Sequence, residues 1–211
     1  MLLTLVRHGE TEWNLQRRIQ GSTDVPLNDT GRAQARASAA LLARRRWDAV
    51  YSSPLVRASE TAAIIADELG LAAPRAVAEL VERSYGESEG FTESELATRF
   101  PEGTEVPGRE PRPEVLARAL PALERIGLAH AGGAVIAVTH GGLIRSVLSA
   151  VDPGGRHGMI ANGSIHTFSV DDGTLRLIAF DDRLEELSET LGDDLMVQNP
   201  LERREPEDSS R

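Results

Sequence analysis

Short apolar runs alternate with amphipathic stretches along most of this chain. Leu2–Val6 is an apolar run closed by a charged turn, which reads as a buried strand. Asn28 then stands as the N-cap of a helix predicted over Asp29–Arg45. Ala33, Ala37, Ala40 and Leu41 fall on one face of it, opposite Arg32, Arg36 and Arg44. Asp48–Ser52 reads as a second strand, and Ser53-Pro54 as the N-cap and first residue of a helix that runs to about Leu69 and stops at Gly70. A third strand is expected around Arg75–Ala78. Between Ser84 and Pro113, four glycines and four prolines interrupt the pattern and leave room for one short helix near Thr92–Arg99. A helix over Pro113–Ala129, a clean strand at Ala134–Val138 and a helix from Gly141-Gly142 to Ala150 follow. Ser164–Val170 and Leu175–Phe180 flank Asp171-Asp172-Gly173 and read as a hairpin. Past Asp182 the chain turns acidic and Pro-punctuated, so a short helix at Leu184–Leu191 and a mobile tail after about Gln198 are expected.

Strands alternating with helices imply an α/β fold, a three-layer α/β/α sandwich around a mostly parallel sheet. The length of 211 residues suits one domain with a sizeable core, expected over 1–183, with an acidic C-terminal extension over 184–211. No apolar run approaches the ~20 residues that span a bilayer, so no membrane role is expected. The N-terminus meets charge too soon to read as a signal peptide, so the expectation is a cytoplasmic protein. The chain has no cysteine, which excludes disulfides, thiolate metal sites and a thiol nucleophile. Its 23 basic residues are all arginine, which excludes a P-loop or Schiff-base lysine. A net charge of −10 with no basic stripe argues against nucleic acid as a partner. It does not argue against an anionic substrate, because charges beyond a Debye length of ~8 Å are largely screened and a local arginine cluster governs its own pocket.

Three short motifs each follow a predicted strand: Arg7-His8-Gly9-Glu10-Thr11, Ser52-Ser53-Pro54-Leu55-Val56-Arg57 and Thr139-His140-Gly141-Gly142. In a parallel sheet the strand C-termini share one edge, and ligands bind in the crevice outside it. Two histidines and two arginines would converge there, and helices beginning near Ser53 and Gly141 would add backbone N–H donors. Such a set suits a phosphoryl group, whose transfer depends mainly on positioning and charge stabilisation. With cysteine absent, histidine is the best remaining nucleophile, and neighbouring arginines disfavour its protonated form. A carboxylic acid is then needed to protonate the leaving oxygen.

Arg-His-Gly-Glu-Thr after the first strand, Ser-Ser-Pro-x-x-Arg-Ala-x-Glu-Thr-Ala after the second, and the late Thr-His-Gly-Gly resemble the histidine phosphatase superfamily, branch 1, the group of the phosphoglycerate mutases and many small phosphatases. The resemblance covers roughly residues 1–170. It implies that His8 becomes phosphohistidine, and that Arg7, Arg57 and His140 hold the phosphoryl oxygens. It implies that Glu82, in Glu82-Arg83-Ser84-Tyr85-Gly86, is the acid, with Glu79 as the alternative; Glu87 and Glu89 read as solvated. Asn14, Gln20, Gly21, Arg83, Tyr85 and Gly141 fall at positions that contact phosphate or substrate. The family uses no metal, and no His-Glu-x-x-His or comparable ligand spacing is present. No cofactor is implied, and the partner expected is a small phosphorylated metabolite such as a phosphosugar or phosphoglycerate-like acid. His130, His157 and His166 read as ordinary surface or sheet residues, and a homodimer is left open.

Hydrolysis and mutase chemistry would share these residues. The glutamate motif leans toward the mutases, but the stretch from Glu82 to His140 is shorter than theirs and lacks the lysine and arginine pair of their closing insert, with Arg109 and Arg112 as the only substitutes. That favours hydrolysis of small phosphate monoesters, with the mutase as alternative. A non-catalytic phosphate-binding regulatory module would be expected to have lost one of His8, Arg57, Glu82 or His140; all four are present.

Overall fold

The structure, a computed structural model, describes residues 1–155, 157–180 and 201. Six strands form one sheet: β1 (Leu2–Arg7), β2 (Ala49–Ser52), β3 (Arg75–Ala76), β4 (Ala134–Thr139), β5 (Ile165–Asp171) and β6 (Thr174–Phe180), in the order β3-β2-β4-β1-β5-β6. The first four run parallel; β5 is antiparallel to β1, and β6 to β5. The helices are α1 (Glu12–Leu15), α2 (Asp29–Leu42), α3 (Val56–Glu68), α4 (Glu93–Arg99), α5 (Arg112–Ala129) and α6 (Gly141–Val151).

The period-2 alternation of the central strands builds the layers. Leu3, Leu5, Val135 and Ala137 face Val115, Ala119 and Leu123 of α5 and Leu143, Ile144 and Val147 of α6. Their neighbours Val6, Ile136 and Val138 face Ala39 and Leu42 of α2 and Ala58, Ala62 and Ile65 of α3. Strands buried on both faces need helices on both sides, and burying each large aliphatic side chain contributes roughly 1.5–3 kcal/mol. Among the described residues no helix is long and apolar enough to cross a membrane.

The hairpin turn is the expected one. Asp172 and Gly173, at φ 49° and 78°, join Asp171 to Thr174 in the left-handed geometry that a two-residue hairpin loop demands. Elsewhere the pattern misleads. The α2 face that packs inward is Gly31, Ala35, Ser38, Ala39 and Leu42, with Leu41 at its margin and Ala33, Ala37 and Ala40 exposed. In an alanine-rich helix hydrophobicity barely distinguishes the faces, and close approach decides. A Cβ on Gly31 would lie 2.1 Å from the Glu10 carbonyl oxygen, and Ser38 Oγ donates to the Gly163 carbonyl at 2.8 Å. The helix also ends at Leu42 rather than Arg45. The helix after β2 starts at Val56 with Leu55 as cap, so Ser53 and Pro54 lie outside it. Ser53 is drawn inward by His140, and the Val56 amide donates instead to Asp24 Oδ1 at 2.8 Å. β3 spans two residues, because the chain turns into a 3-10 helix at Ala78–Leu80. The helix predicted at Leu184–Leu191 and the tail after Gln198 lie outside the described residues.

The register carries the argument to the site. Arg7 lies opposite Thr139 on β4, and Ser52 lies opposite Val138. The residues that follow, His8, His140 and Ser53, therefore emerge side by side at one edge of the sheet.

Candidate active site

His8 sits one residue beyond β1, buried, with its backbone N–H donating to the Thr139 carbonyl at 3.0 Å. Its Nδ1 lies 2.7 Å from the Gly9 carbonyl oxygen. A carbonyl can only accept, so Nδ1 carries the proton and Nε2 keeps its lone pair. Burial first, then the Arg57 and Arg7 guanidinium groups, push the His8 pKa well below its ordinary value. The ring is therefore neutral at neutral pH, with its Nε2 lone pair available. Gly9 is required beside it: a Cβ there would lie 2.2 Å from the Gly31 carbonyl oxygen.

Arg57, fully buried on the first turn of α3, is aimed by two carbonyls: Nη2 donates to Gly21 at 2.7 Å and Nη1 to Thr23 at 2.8 Å. Arg7 Nη1 donates to the Ile160 carbonyl at 2.7 Å. Burial pulls the Arg7 pKa down to about 10, opposed by Glu82, with Arg57 adding to the lowering. His140, the N-cap of α6, has Nε2 2.8 Å from Ser53 Oγ, and its ring centroid is 5.2 Å from that of His8. Burial, then Arg57, His8 and Arg7, push its pKa well below the ordinary value. Arg7 Nε, Arg57 Nε and His140 Nδ1 are all buried with no protein hydrogen-bond partner. Buried polar groups are almost always satisfied, so three such nitrogens around one neutral histidine ring are placed to meet an anion.

Glu82, nine-tenths buried, faces the same group. Its Oε1 accepts from the Arg83 and Leu143 amides at 2.8 and 3.0 Å, and its Oε2 from the Gly142 amide at 3.0 Å. The first-turn amides of α6 thus hold this carboxylate, as the Val56 amide of α3 holds Asp24, where donors to a ligand were expected. Glu79 points elsewhere and pairs with Arg125 on α5.

The predicted contact residues divide. Gly21 adopts φ 56° and lends its carbonyl to Arg57; a Cβ there would strike the Glu89 carboxylate. Gln20 is buried with Oε1 unpartnered. Asn14 is the third residue of α1, and its Oδ1 accepts from the Thr11 amide at 3.1 Å in a capping box, so its carbonyl oxygen serves the helix start. Arg83 and Tyr85 are both buried, with the guanidinium over the Tyr85 ring at 5.6 Å. Gly141 lies close under Arg7, whose Nε would be 3.4 Å from a Cβ there. A Cβ on its neighbour Gly142 would lie 2.6 Å from Tyr85 Oη and 2.8 Å from Glu82 Oε1, so both would have to shift.

Several positioning residues escaped the sequence reading. Asn162 Nδ2 donates to the His8 carbonyl at 3.0 Å and to Asn14 Oδ1 at 3.2 Å. Thr61 Oγ1 accepts from the Gly9 amide at 3.1 Å while donating to the Arg57 carbonyl at 2.7 Å. Glu89, expected to be solvated, accepts from the Ser22, Thr23 and Tyr85 amides at 2.9, 2.9 and 3.0 Å. It thereby ties the loop that aims Arg57 to the turn that carries Tyr85. Thr61 stands within the Ser-Ser-Pro-x-x-Arg-Ala-x-Glu-Thr-Ala motif, which by itself gives it no role; Asn162 and Glu89 stand in none of the three motifs. The other histidines have structural partners: His130 meets Tyr51 Oη, His166 meets Ser164 Oγ, and His157 meets Asp152. Among the described residues no group of three or more His, Asp or Glu side chains is placed to hold a metal ion.

Comparison with known proteins points the same way. The family model described as "Histidine phosphatase superfamily (branch 1)" matches residues 3–183. The chain is 39% identical over 184 residues to phosphoglycerate mutase-like protein 4 of Arabidopsis thaliana, covering 81% of this chain and 80% of that protein. It is 39% identical over 150 residues to the uncharacterized phosphatase PhoE of Bacillus subtilis (strain 168), covering 71% and 77%. Among solved structures, mycobacterial glucosyl-3-phosphoglycerate phosphatase complexed with VO3 superposes with a TM-score of 0.77 at 29% identity, covering 85% of this chain and 98% of that one.

Proposed function

This chain belongs to branch 1 of the histidine phosphatase superfamily, and on that footing we propose that it hydrolyses small phosphate monoesters through a phosphohistidine formed on His8. The observation that carries this reading is the trio of buried, unpartnered donor nitrogens on Arg7, Arg57 and His140 around the neutral His8 ring.

In the first step His8 Nε2 forms a bond to phosphorus as the ester P–O bond breaks. Arg7 Nε, Arg57 Nε and His140 Nδ1 donate to the three equatorial oxygens, each charge-assisted bond contributing roughly 1.5–3 kcal/mol. For His140 to donate from Nδ1, its Nε2 must accept, and the Ser53 hydroxyl at 2.8 Å is the group that can donate to it. Glu82 enters this step as the neutral acid, gives its proton to the leaving oxygen, and leaves the step as the carboxylate that the Arg83, Gly142 and Leu143 amides hold. In the second step Glu82 takes a proton from water, the water oxygen bonds to phosphorus, the N–P bond breaks, and inorganic phosphate leaves. Glu82 is preferred to Glu79 as the acid because it faces Gly142, beside Arg7 and His140, whereas Glu79 is committed to Arg125.

Water rather than a second substrate hydroxyl is the acceptor in this reading. The stretch after Glu82 is short and folds back on its own start: the Glu87 amide donates to Pro107, the Glu110 amide to Ser84, and Tyr85 bridges Arg109. It therefore provides no long insert of the mutase kind. The substrates favoured are phosphosugars or phosphoglycerate-like acids, the kind of compound named for the mycobacterial neighbour.

The test is to incubate the protein and a His8→Ala variant with 3-phosphoglycerate and a panel of phosphate monoesters, following free phosphate and 2-phosphoglycerate together. Phosphate release that disappears in the variant is the expected result. Rapid 2-phosphoglycerate with little free phosphate would replace hydrolysis by mutase chemistry, and neither product from any substrate would replace both by a phosphate-binding role.

A further inference from the structure

Glu82 lies in no strand or helix: the 3-10 helix at Ala78–Leu80 ends before it, and the next one begins at Gly86. Outside a ladder, the carbonyls of such a turn must find partners elsewhere. The Thr139 hydroxyl donates to the Leu80 carbonyl at 2.8 Å, and a single side chain serves three more. Arg118, midway along α5, donates from Nη1 to the Glu79 and Val81 carbonyls at 2.6 and 2.8 Å, and from Nη2 to the Glu82 carbonyl at 3.2 Å. The same guanidinium grips Glu110 with two prongs, Nε to Oε1 at 2.8 Å and Nη2 to Oε2 at 3.0 Å. Glu110 closes the frame from the other side. Its Oε2 accepts from the Ser84 amide at 3.1 Å, its amide donates to the Ser84 carbonyl at 2.9 Å, and its carbonyl accepts Arg83 Nε at 2.6 Å. Burial works against the Glu110 charge, but the hydrogen bond and charge of Arg118 outweigh it, so the carboxyl is held below its ordinary pKa.

We propose that the Glu110–Arg118 ion pair is a positioning device for the acid, fixing the turn from which the Glu82 carboxyl reaches the leaving oxygen. This rests on the reading of Glu82 as that acid. The guanidinium engages the acid's own carbonyl and two others just before it, and its partner Glu110 holds the two residues that follow. A lysine would serve only in part, for an ammonium on a flexible stem keeps the charge but cannot span three carbonyls and two carboxylate oxygens with fixed geometry. Proton transfer needs the acid within about 2.6–3.2 Å of the oxygen it serves, and a misplacement of about 1 Å can cost ~10²-fold.

A device for the acid leaves a signature that a mere structural staple does not. An ester with a poor leaving group, such as glycerol phosphate, needs the proton as the P–O bond breaks, whereas p-nitrophenyl phosphate releases a stabilised phenolate and does not. The measurement is kcat/KM on both esters, which reports P–O cleavage whichever step limits turnover. It is made for the full chain and for Glu82→Gln, Arg118→Met, Arg118→Lys and Glu110→Gln, with circular dichroism and thermal midpoints alongside. Arg118→Met is expected to lower kcat/KM on glycerol phosphate about 10²-fold and that on p-nitrophenyl phosphate by no more than about threefold, a factor worth ~0.65 kcal/mol. Arg118→Lys should fall between. Glu110→Gln keeps the shape and guards against a variant that fails to fold; it should show the same selectivity at smaller amplitude. Equal losses on the two esters in a folded Arg118 or Glu110 variant, with Glu82→Gln still selective, would overturn the proposal and leave the acid in place. Equal losses in Glu82→Gln itself would instead overturn the reading of Glu82 as acid, and the proposal with it.

Discussion

The two halves of the site are held by different physics. The half around His8, the proposed nucleophile, is an extension of the sheet. The Arg7 amide donates to Ser164, the His8 amide to Thr139, and the Gly163 amide returns to Arg7, each at 3.0 Å. Backbone hydrogen bonds and close contact between Gly9 and Gly31 place His8 before any side chain is consulted. The half around Glu82, the proposed acid, lies outside the sheet. The Arg83, Gly142 and Leu143 amides hold its carboxylate, and the turn that carries it is framed by charged side chains, Arg118 and Glu110, which reach it from α5 and the loop before that helix. A ladder tolerates no added volume but is indifferent to charge; a guanidinium frame tolerates small changes of volume but depends on its charge and fork geometry.

The largest expected consequence is acid lability centred on the nucleophile half. His8 and His140 have pKa values well below the ordinary 6.5, and His166, opposite Leu5 in the sheet, is lowered to about 3, chiefly by burial. In the unfolded chain each takes a proton near pH 6.5, whereas the folded protein resists. The unfolded state therefore binds more protons below that pH, and stability is full above it and falls as the pH drops toward the folded values. Three such groups give a slope of up to about 4 kcal/mol per pH unit below pH 6. Urea unfolding measured from pH 8 to pH 5 checks this, and a flat profile would contradict the three neutral histidines.

Next comes Gly31→Ala. An exposed glycine in a helix gains up to about 1 kcal/mol on becoming alanine, so helix propensity alone expects stabilisation. With backbone 2.1 Å from the new Cβ, the structure expects a loss of about 3 kcal/mol or more and a displaced His8. The urea midpoint gives the sign directly. A smaller effect should follow Ser53→Ala, which removes the hydroxyl facing His140 Nε2. A fall of about tenfold in kcat/KM, worth ~1.4 kcal/mol, is expected with the fold retained. Unlike the Arg118 variants, it should weigh equally on good and poor leaving groups, because it acts on the phosphoryl oxygens.

Much of the nucleophile half was legible because it is written in contiguous motifs behind strands. Arg7-His8, Arg57 and His140 needed only the rule that parallel strand ends share an edge, and the observed register of Arg7 with Thr139 delivers it. The acid half was legible only as a resemblance around Glu82. Its supports, Arg118 and Glu110, lie tens of residues away in a helix and a loop with no pattern of their own. Asn162 is harder still, for its partners His8 and Asn14 are 154 and 148 residues distant in the chain.

What the sequence determined by itself is what local physics encodes: the alternation that makes the strands, the Asp172-Gly173 turn with both residues at positive φ, and the strand-then-motif order that brings His8, Arg57 and His140 together. What only the tertiary structure decided is what depends on approach and partnership. It set the rotation of α2, where Gly31, Ala35 and Ala39 rather than Ala33, Ala37 and Ala40 face inward. It moved the start of α3 past Ser53, whose hydroxyl His140 takes. It also made Glu89 a tie between two loops, accepting from the Ser22, Thr23 and Tyr85 amides, instead of a solvated charge. A residue's chemistry is local, but the distance to a distant carbonyl or guanidinium exists only once the chain has packed.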